Sequence, residues 1–408
     1  MIPERESLLP KLSQHWRATP VRYASVCLDG KRIPLNIEER SNRRGDYPYW
    51  GANGVVDYVD GYLFDESLVL LGEDGAPFFD KNKPVAFFST GKIWVNNHMH
   101  VLRVNSGFDP RFVTHCLNAT DYGPWIEGST RDKLTQDKMG GIPLPTPPIR
   151  EQRAIADYLD RETARLDALV AAKERLLELL AEKRRALITR AVTCGLNPDA
   201  PLRDSGISWL AHIPARWETR RTAWLFRDRD ERCKPELPLL EVSINSGVSV
   251  REFSSDCIES TAEDFNTYKV ARKGDVVFNK MRMWQGAVGV APEDGLVSPD
   301  YTVAAPVGML LPEYAELLFR TEIFSAECAR HSHGIVWDRL RLYWEGFRDI
   351  VVPLPPPAEQ RAIVAHISAE TAKLDALRVA AERTIGLLKE RRAALIAAAV
   401  AGKIKSLS

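Results

Sequence analysis

PLPTPPIREQRAI at residues 143–155 returns as PLPPPAEQRAI at residues 353–363, and from Glu151 and Glu359 the two copies run without a gap to Val192 and Val400. At one constant spacing the matches include Glu162/Glu370, Thr163/Thr371, Leu166/Leu374, Asp167/Asp375, Leu169/Leu377, Arg175/Arg383, Leu180/Leu388, Arg184/Arg392 and Leu187/Leu395. A duplicated frame constrains architecture before any local reading does, and here it implies approximate two-fold symmetry. The first copy holds no internal Gly or Pro and is rich in Ala, Leu, Glu, Lys and Arg, the strongest helix formers. A proline-rich stop precedes it, and Gly195 with Pro198 ends it. Each copy is therefore expected to be a helical rod of ~60 Å.

Along each rod a seam can be read in alternating steps of four and three. In the first it runs Ile155, Leu159, Glu162, Leu166, Leu169, Lys173, Leu176, Leu180, Lys183 and Leu187. In the second it runs Ile363, Ile367, Glu370, Leu374, Leu377, Ala381, Thr384, Leu388, Arg391 and Leu395. Parallel rods would set Glu162 against Glu370 and Lys183 against Arg391. Antiparallel rods match Glu162 with Arg391 and Lys183 with Glu370, and polar seam residues trade stability for a fixed register. The expectation is an antiparallel coiled coil between the copies; the alternative is two unrelated amphipathic helices, each packed on its own module.

Around the rods lie two mixed modules. Residues 1–142 carry β-type runs at 85–88, 93–96 and 100–104, turn signals at Asn53-Gly54, Asp74-Gly75 and Ser106-Gly107, and a helix opened by Asp109-Pro110. Residues 143–200 form the proline lead-in, first rod and linker. Residues 201–352 repeat the mixed pattern, with runs at 275–278, 287–290 and 301–304 and a helix over 313–330. Residues 353–408 are the second lead-in and rod. The fold class is α+β: two globular α/β-type domains joined by two long helices in an antiparallel coiled coil with pseudo-two-fold symmetry.

A chain of 408 residues supports two or three domains with separate cores. No apolar run approaches the ~20 residues that cross a bilayer, and residues 1–10 are charged rather than signal-like. Six scattered cysteines without a C-x-x-C argue against zinc ribbons and disulfide frameworks, which favours a cytoplasmic setting. The 55 basic and 55 acidic residues cancel. A nucleic-acid binder of this composition must therefore concentrate its positive charge locally.

No catalytic signature is present. Gly91-Lys92 lacks the flanking residues of a phosphate loop, and the Asn-Pro-Pro-aromatic loop of an amino-methyltransferase is missing. His98-Met99-His100 and His331-Ser332-His333 lack Cys or carboxylate ligands at metal spacing; alternation places His98 and His100 on one strand face, as hydrogen-bonded or DNA-contacting groups. The modules instead offer cations beside flat and amide side chains, the types that hold phosphates and read base edges. In the first these are Arg43, Arg44, Tyr47, Tyr49, Trp50, Asn53, Lys92, Asn96, Asn97 and His98; in the second, Lys280, Arg282, Trp284 and Gln285. A bland reading, solvated faces over core aromatics, competes with this one. A fainter echo upstream of each rod matches Gly128, Asp132, Lys133 and Leu134 with Gly334, Asp338, Arg339 and Leu340, which makes Lys133 and Arg339 candidate phosphate contacts; Trp16 and Trp217 each stand near a module's start. Elsewhere the modules barely resemble one another, as expected if each reads a different word.

Two divergent modules, each followed by a P-L-P-P-x-x-E-Q-x-x-I lead-in to a long helix, resemble the specificity subunit of a type I restriction-modification system. DSGISWLAHIPARW (204–217) resembles that family's opening to its second target-recognition domain. YPYWGANGVVDYVDGYLFDES (47–67) with TGKIWVNNHMHVL (90–102), and NKMRMWQGAVG (279–289) with GLVSPDY (295–301), resemble two recognition-domain types. The first lead-in departs by two extra residues. The resemblance implies a non-catalytic subunit that binds a bipartite, asymmetric site on double-stranded DNA, one half per domain. It also implies docking of two modification subunits, which bind S-adenosylmethionine and methylate adenine. Restriction and translocation subunits, which use ATP and Mg, complete the assembly, and no cofactor is expected on this chain. Two rivals stand beside this reading: a stand-alone DNA-modifying enzyme, and a coiled-coil adaptor with no DNA role.

Overall fold

The computed structural model describes residues 15–126, 132–251, 265–334 and 340–404. The chain divides into two compact units, Met1–Leu176 with Ala381–Ser408, and Leu177–Ala380. Each unit takes part of both rods, which are continuous helices over Ile149–Cys194 and Pro357–Val400. Gly195, in the left-handed region at φ 74°, ends the first rod; a side chain there would also meet Trp217 and Glu359.

Both units are built on one frame. In the first, an antiparallel sheet orders Ser25–Cys27, Met99–Val104, Leu68–Gly72 and Ala86–Ser89; in the second, the same order is taken by Phe226–Asp228, Tyr301–Pro306, Val276–Asn279 and Val288–Val290. Each proline lead-in is a strand paired antiparallel with an earlier strand of its module: Pro143–Thr146 with Arg17–Pro20, and Val351–Leu354 with Glu218–Arg221. The expected Asp109 cap is in place, its carboxylate accepting from Arg111 and Phe112 N–H ahead of helix Pro110–Asn118. The helix expected over 313–330 is instead two, Pro312–Phe319 and Glu322–Arg330, because Thr321 caps a new helix by accepting from Phe324 N–H.

The units differ in what they add to the frame. The first adds a sheet of Gly54–Val59, Arg44–Gly51, Lys92–Val95 and Phe64–Asp65; the second adds three antiparallel two-stranded pairs, Leu202–Ile207 with Leu210–Pro214, Leu240–Ser243 with Gly247–Val250, and Lys269–Ala271 with Gly295–Val297. Ile155, Ala156 and Leu159 of the first rod share one core with Ile396, Ala399 and Val400 of the second and with Phe112, Trp125 and Leu144. In the other unit Ala191 and Val192 share a core with Ile363, Ile367, Phe226 and Phe347. Among the described residues no helix is long and apolar enough to cross a membrane.

The rods run antiparallel in each unit. Asp167 meets Arg392 and, further along the first rod, Glu174 meets Lys389 further back on the second. In the other unit Arg184 donates to Asp375 Oδ1 at 2.7 Å. The expected direction is therefore correct, but the seam is not the one read from the leucines. Leu166 and Leu374 are buried, whereas Leu169 and Leu377 stand 45% and 54% exposed. The step between turns falls one residue later, on buried Thr163 and Thr371 rather than on Glu162 and Glu370. Each threonine hides its hydroxyl by donating to the carbonyl four residues back, Leu159 and Ile367. Glu162 and Glu370 consequently flank the seam and pair with cations of their own helix, Arg161 and Lys373. Lys183 and Arg391 are exposed, and Lys183 reaches Glu370 only as a weak field that helps hold its carboxylate below the usual range, behind Lys373. Register is instead marked by Asp167 with Arg392 and by Arg184 with Asp375, the same two residue types at matched positions.

Candidate nucleic-acid interface

Each module is fastened to its rod by a repeated joint. Trp16 Nε1 donates to Glu151 at 3.2 Å, with His15 beside it at 3.3 Å; Trp217 Nε1 donates to Glu359 at 3.0 Å, with Arg216 at 2.9 Å. The next residue on each rod is a buried glutamine. Gln152 Nε2 donates to the Pro147 and Gly107 carbonyls while its Oε1 accepts from Asp109 N–H. Gln360 does the same with Pro355, Met309 and Leu311 N–H. A buried amide satisfied on every side fixes the loops around it, since each unmet group would cost about 1–3 kcal/mol.

On this footing the candidate residues of the first unit sort themselves. Arg44 opens its strand exposed, and Asn53 sits exposed in the turn between Arg44–Gly51 and Gly54–Val59. Lys92 is exposed with its ammonium 4.7 Å from the Tyr62 ring and 5.8 Å from Tyr47, and the two rings meet edge to face at 5.3 Å. Arg43 lies over Trp94 at 4.7 Å and pairs with Asp60 at 2.9 Å, which ties it to the fold. Tyr49 is core, its hydroxyl accepting from Leu35 N–H. Trp50 packs on Phe87 with its indole N–H buried and unpartnered.

Asn96 corrects the sequence reading: it is buried, its Oδ1 accepting from His98 N–H, so it braces a turn rather than facing a duplex. Asn97 is exposed in that turn. His98 lies just before its strand, half-exposed and bound to Asp74 at 2.5 Å, while His100 is fully buried between Asp29 at 2.5 Å and the Leu134 carbonyl at 2.8 Å. The shared strand face expected for the two histidines is thus absent. Asp29 is raised by burial but drawn further down by His100 and Arg32, ending below the usual range. Cys27 completes a Cys27, Asp29 and His100 group, its thiol pushed up to about 11 chiefly by burial. Both His100 nitrogens are engaged and Arg32 supplies cationic charge between Asp29 and Glu73, so these groups satisfy one another as a structural network. Lys133 is exposed and 3.4 Å from Glu73.

In the second unit the run around Trp284 forms a short turn. Arg282 and Gln285 are exposed on either side of it, Met283 is core, and Trp284 Nε1 donates to the Met281 carbonyl. Trp284 and Gln285 border an open groove of about 570 Å³ with Arg320, Ser325 and Arg330. Lys280 is half-buried, donates to the Pro299 carbonyl at 3.0 Å, and has its pKa lowered by burial and then by neighbouring Lys269. Arg339 falls outside the described residues, as do Gly128 and Asp338 of the same echo; Leu134 and Leu340 are both buried.

Sequence reasoning missed several exposed neighbours. Val55, Val56 and Tyr58 line the hairpin tip at 41%, 56% and 54% exposure, and the register shift between Tyr49 and Trp50 places Val56 as the extra residue of a bulge. Hydrophobic valines in a strand run gave no signal of exposure. Arg320 and Arg330, distant in sequence from Gln285, had none either.

Residues 21–179 match the family described as the type I restriction modification DNA specificity domain. The chain is 35% identical over 159 residues to a Haemophilus influenzae protein named as the type I restriction enzyme specificity subunit S.HindORF215P. That alignment covers 39% of this chain and 40% of the relative. It is 21% identical to the Escherichia coli EcoDI specificity subunit over 94% of this chain and 89% of that one. Among solved structures, a chain from work on complex assembly and conformational transition of the type I R-M system superposes with a TM-score of 0.67 at 16% identity, covering 97% of this chain and all of that chain. Two modules on a repeated frame, each jointed to its rod, make a two-unit scaffold. The similarity to type I restriction-modification specificity subunits is direct for residues 21–179, and the fold over 97% of the chain resembles that of the solved type I chain.

Proposed function

We propose that this chain is the DNA sequence-specificity subunit of a type I restriction-modification enzyme, binding a bipartite, asymmetric duplex site with one half read by each unit. The observation that carries the reading is the pairing of a repeated frame with unlike exposed faces: the joints at Glu151/Gln152 and Glu359/Gln360 agree bond for bond, while Arg44, Asn53 and Lys92 have no counterpart among Arg282, Trp284 and Gln285. Phosphate contacts hold register and base-edge contacts specify, so exposed cations beside exposed amides are the expected equipment. The paired rods serve as a fixed separator and as a dock for two modification subunits. S-adenosylmethionine belongs to those subunits, ATP and Mg to restriction subunits, and the assembly is cytoplasmic.

The test is sequencing of methylated adenines in a host carrying this chain with its modification subunit. A split motif with a constant gap is expected. An undivided motif, or the same methylation without this chain, would overturn the reading.

A further inference from the structure

Each unit carries a large aromatic ring on its outside at the same place in the frame. The short helix Val21–Ala24 follows strand Arg17–Pro20 in one module and buries Val21 and Ala24; Thr222–Leu225 follows Glu218–Arg221 in the other and buries Thr222 and Leu225. In both, the first helical N–H reaches the matching carbonyl of the returning segment, Val21 to Ile142 and Thr222 to Ile350, each at 2.9 Å. The last helical carbonyl is met in the same way, Ala24 by Asn105 N–H and Leu225 by Val307 N–H, again at 2.9 Å. With the first and fourth residues turned inward, the third points out: Tyr23 is 67% exposed and Trp224 69%.

Neither core needs these rings, and aromatics make up 9% of the chain. The outward faces otherwise differ between the units, yet this position keeps an aromatic in both. A feature shared by two readers of different sequences is suited to a ligand that both must meet. Duplex DNA is one such ligand, but stacked, paired bases present phosphates and groove edges, whereas aromatic platforms serve unpaired strands. Protein interfaces are where Tyr and Trp act as anchors, by filling apolar pockets on the partner. On the segment bonded to Leu225, the neighbour of Trp224 in sequence, Val307 and Met309 add exposed apolar side chains at 39% and 44% exposure.

Resting on the function proposed above, we propose that Tyr23 and Trp224 are equivalent docking anchors, one for each of two copies of the modification subunit, which offers each ring an apolar pocket. The full chain and its modification subunit would be co-expressed as wild type, Tyr23→Ala, Trp224→Ala and the double variant. Subunits bound would be counted by native mass spectrometry, and duplex affinity measured by mobility shift. Each single variant should retain one modification subunit where wild type holds two, the lost one binding roughly tenfold more weakly or worse. The double variant should hold none, while Tyr23→Trp and Trp224→Tyr keep both. Unfolding midpoints should not move, since both rings face outward. Two subunits on every variant would overturn the proposal, as would intact assembly with weakened duplex binding. A wild-type chain that recruits no modification subunit would defeat the parent reading as well, and the wild-type control separates the two failures.

Discussion

Gln152 and Gln360 show how a single side chain can hold a module to a rod. Gln152→Leu keeps the size but leaves two carbonyls and one N–H in a buried site without partners, so it should cost about 3 kcal/mol; denaturant unfolding measures it, and a loss under about 1 kcal/mol would show that water replaces the amide. Their roles were not legible in the sequence, where a glutamine at the start of a helix looks like solvent-facing polarity. Asp160 offers a pH-dependent counterpart. His115 donates to it at 2.8 Å and Arg111 lies at 3.0 Å, holding its carboxyl below the ordinary 3.8. A depressed carboxylate contributes stability above its unfolded value and loses it as pH falls through the folded one. The stability gap between wild type and Asp160→Asn should therefore be full at pH about 5 and close progressively below pH about 4. A gap that stays constant down to pH about 3 would show that charge on Asp160 does not matter.

The rods and their opposed directions could be read from the repeat because two gapless copies with Pro at one end and Gly at the other leave little freedom. Seam phase could not. Steps of three and four differ by one residue, and the decision lay with Thr163 and Thr371, polar by type yet buried once their hydroxyls turn back to the helix. Leucines at 169 and 377 pointed the other way. Their exposure makes the phase testable: Leu166→Ala should cost about 2–4 kcal/mol through lost burial and a cavity, whereas Leu169→Ala should stay within about 0.5 kcal/mol. Equal losses in thermal or denaturant unfolding would restore the leucine reading. At the candidate interface, the exposed cations and amides on turns were legible as types. Asn96 was not, because only the register of Lys92–Val95 with its neighbours shows that the following side chain folds inward.

Across the whole chain, unlike faces on like frames predict separable readouts. Arg282→Ala or Gln285→Ala should relax base preference in one half-site and leave the other unchanged, as a selection from randomised duplexes would show; loosening of both halves would contradict independent reading. Lys133→Glu, at a half-exposed cation beside Glu73, should instead weaken all sequences alike and reduce the salt slope by about one. A loss at one base position would make Lys133 a base reader. The joints carry a further consequence. Trp16 with Glu151 and Trp217 with Glu359 use the same atoms, and each glutamine gathers only main-chain groups from the loop it binds, apart from its own helix lead-in. A foreign reading head supplying a tryptophan and a loop of similar path would find its sockets ready, so new target words can be acquired by grafting, without redesign of the chassis.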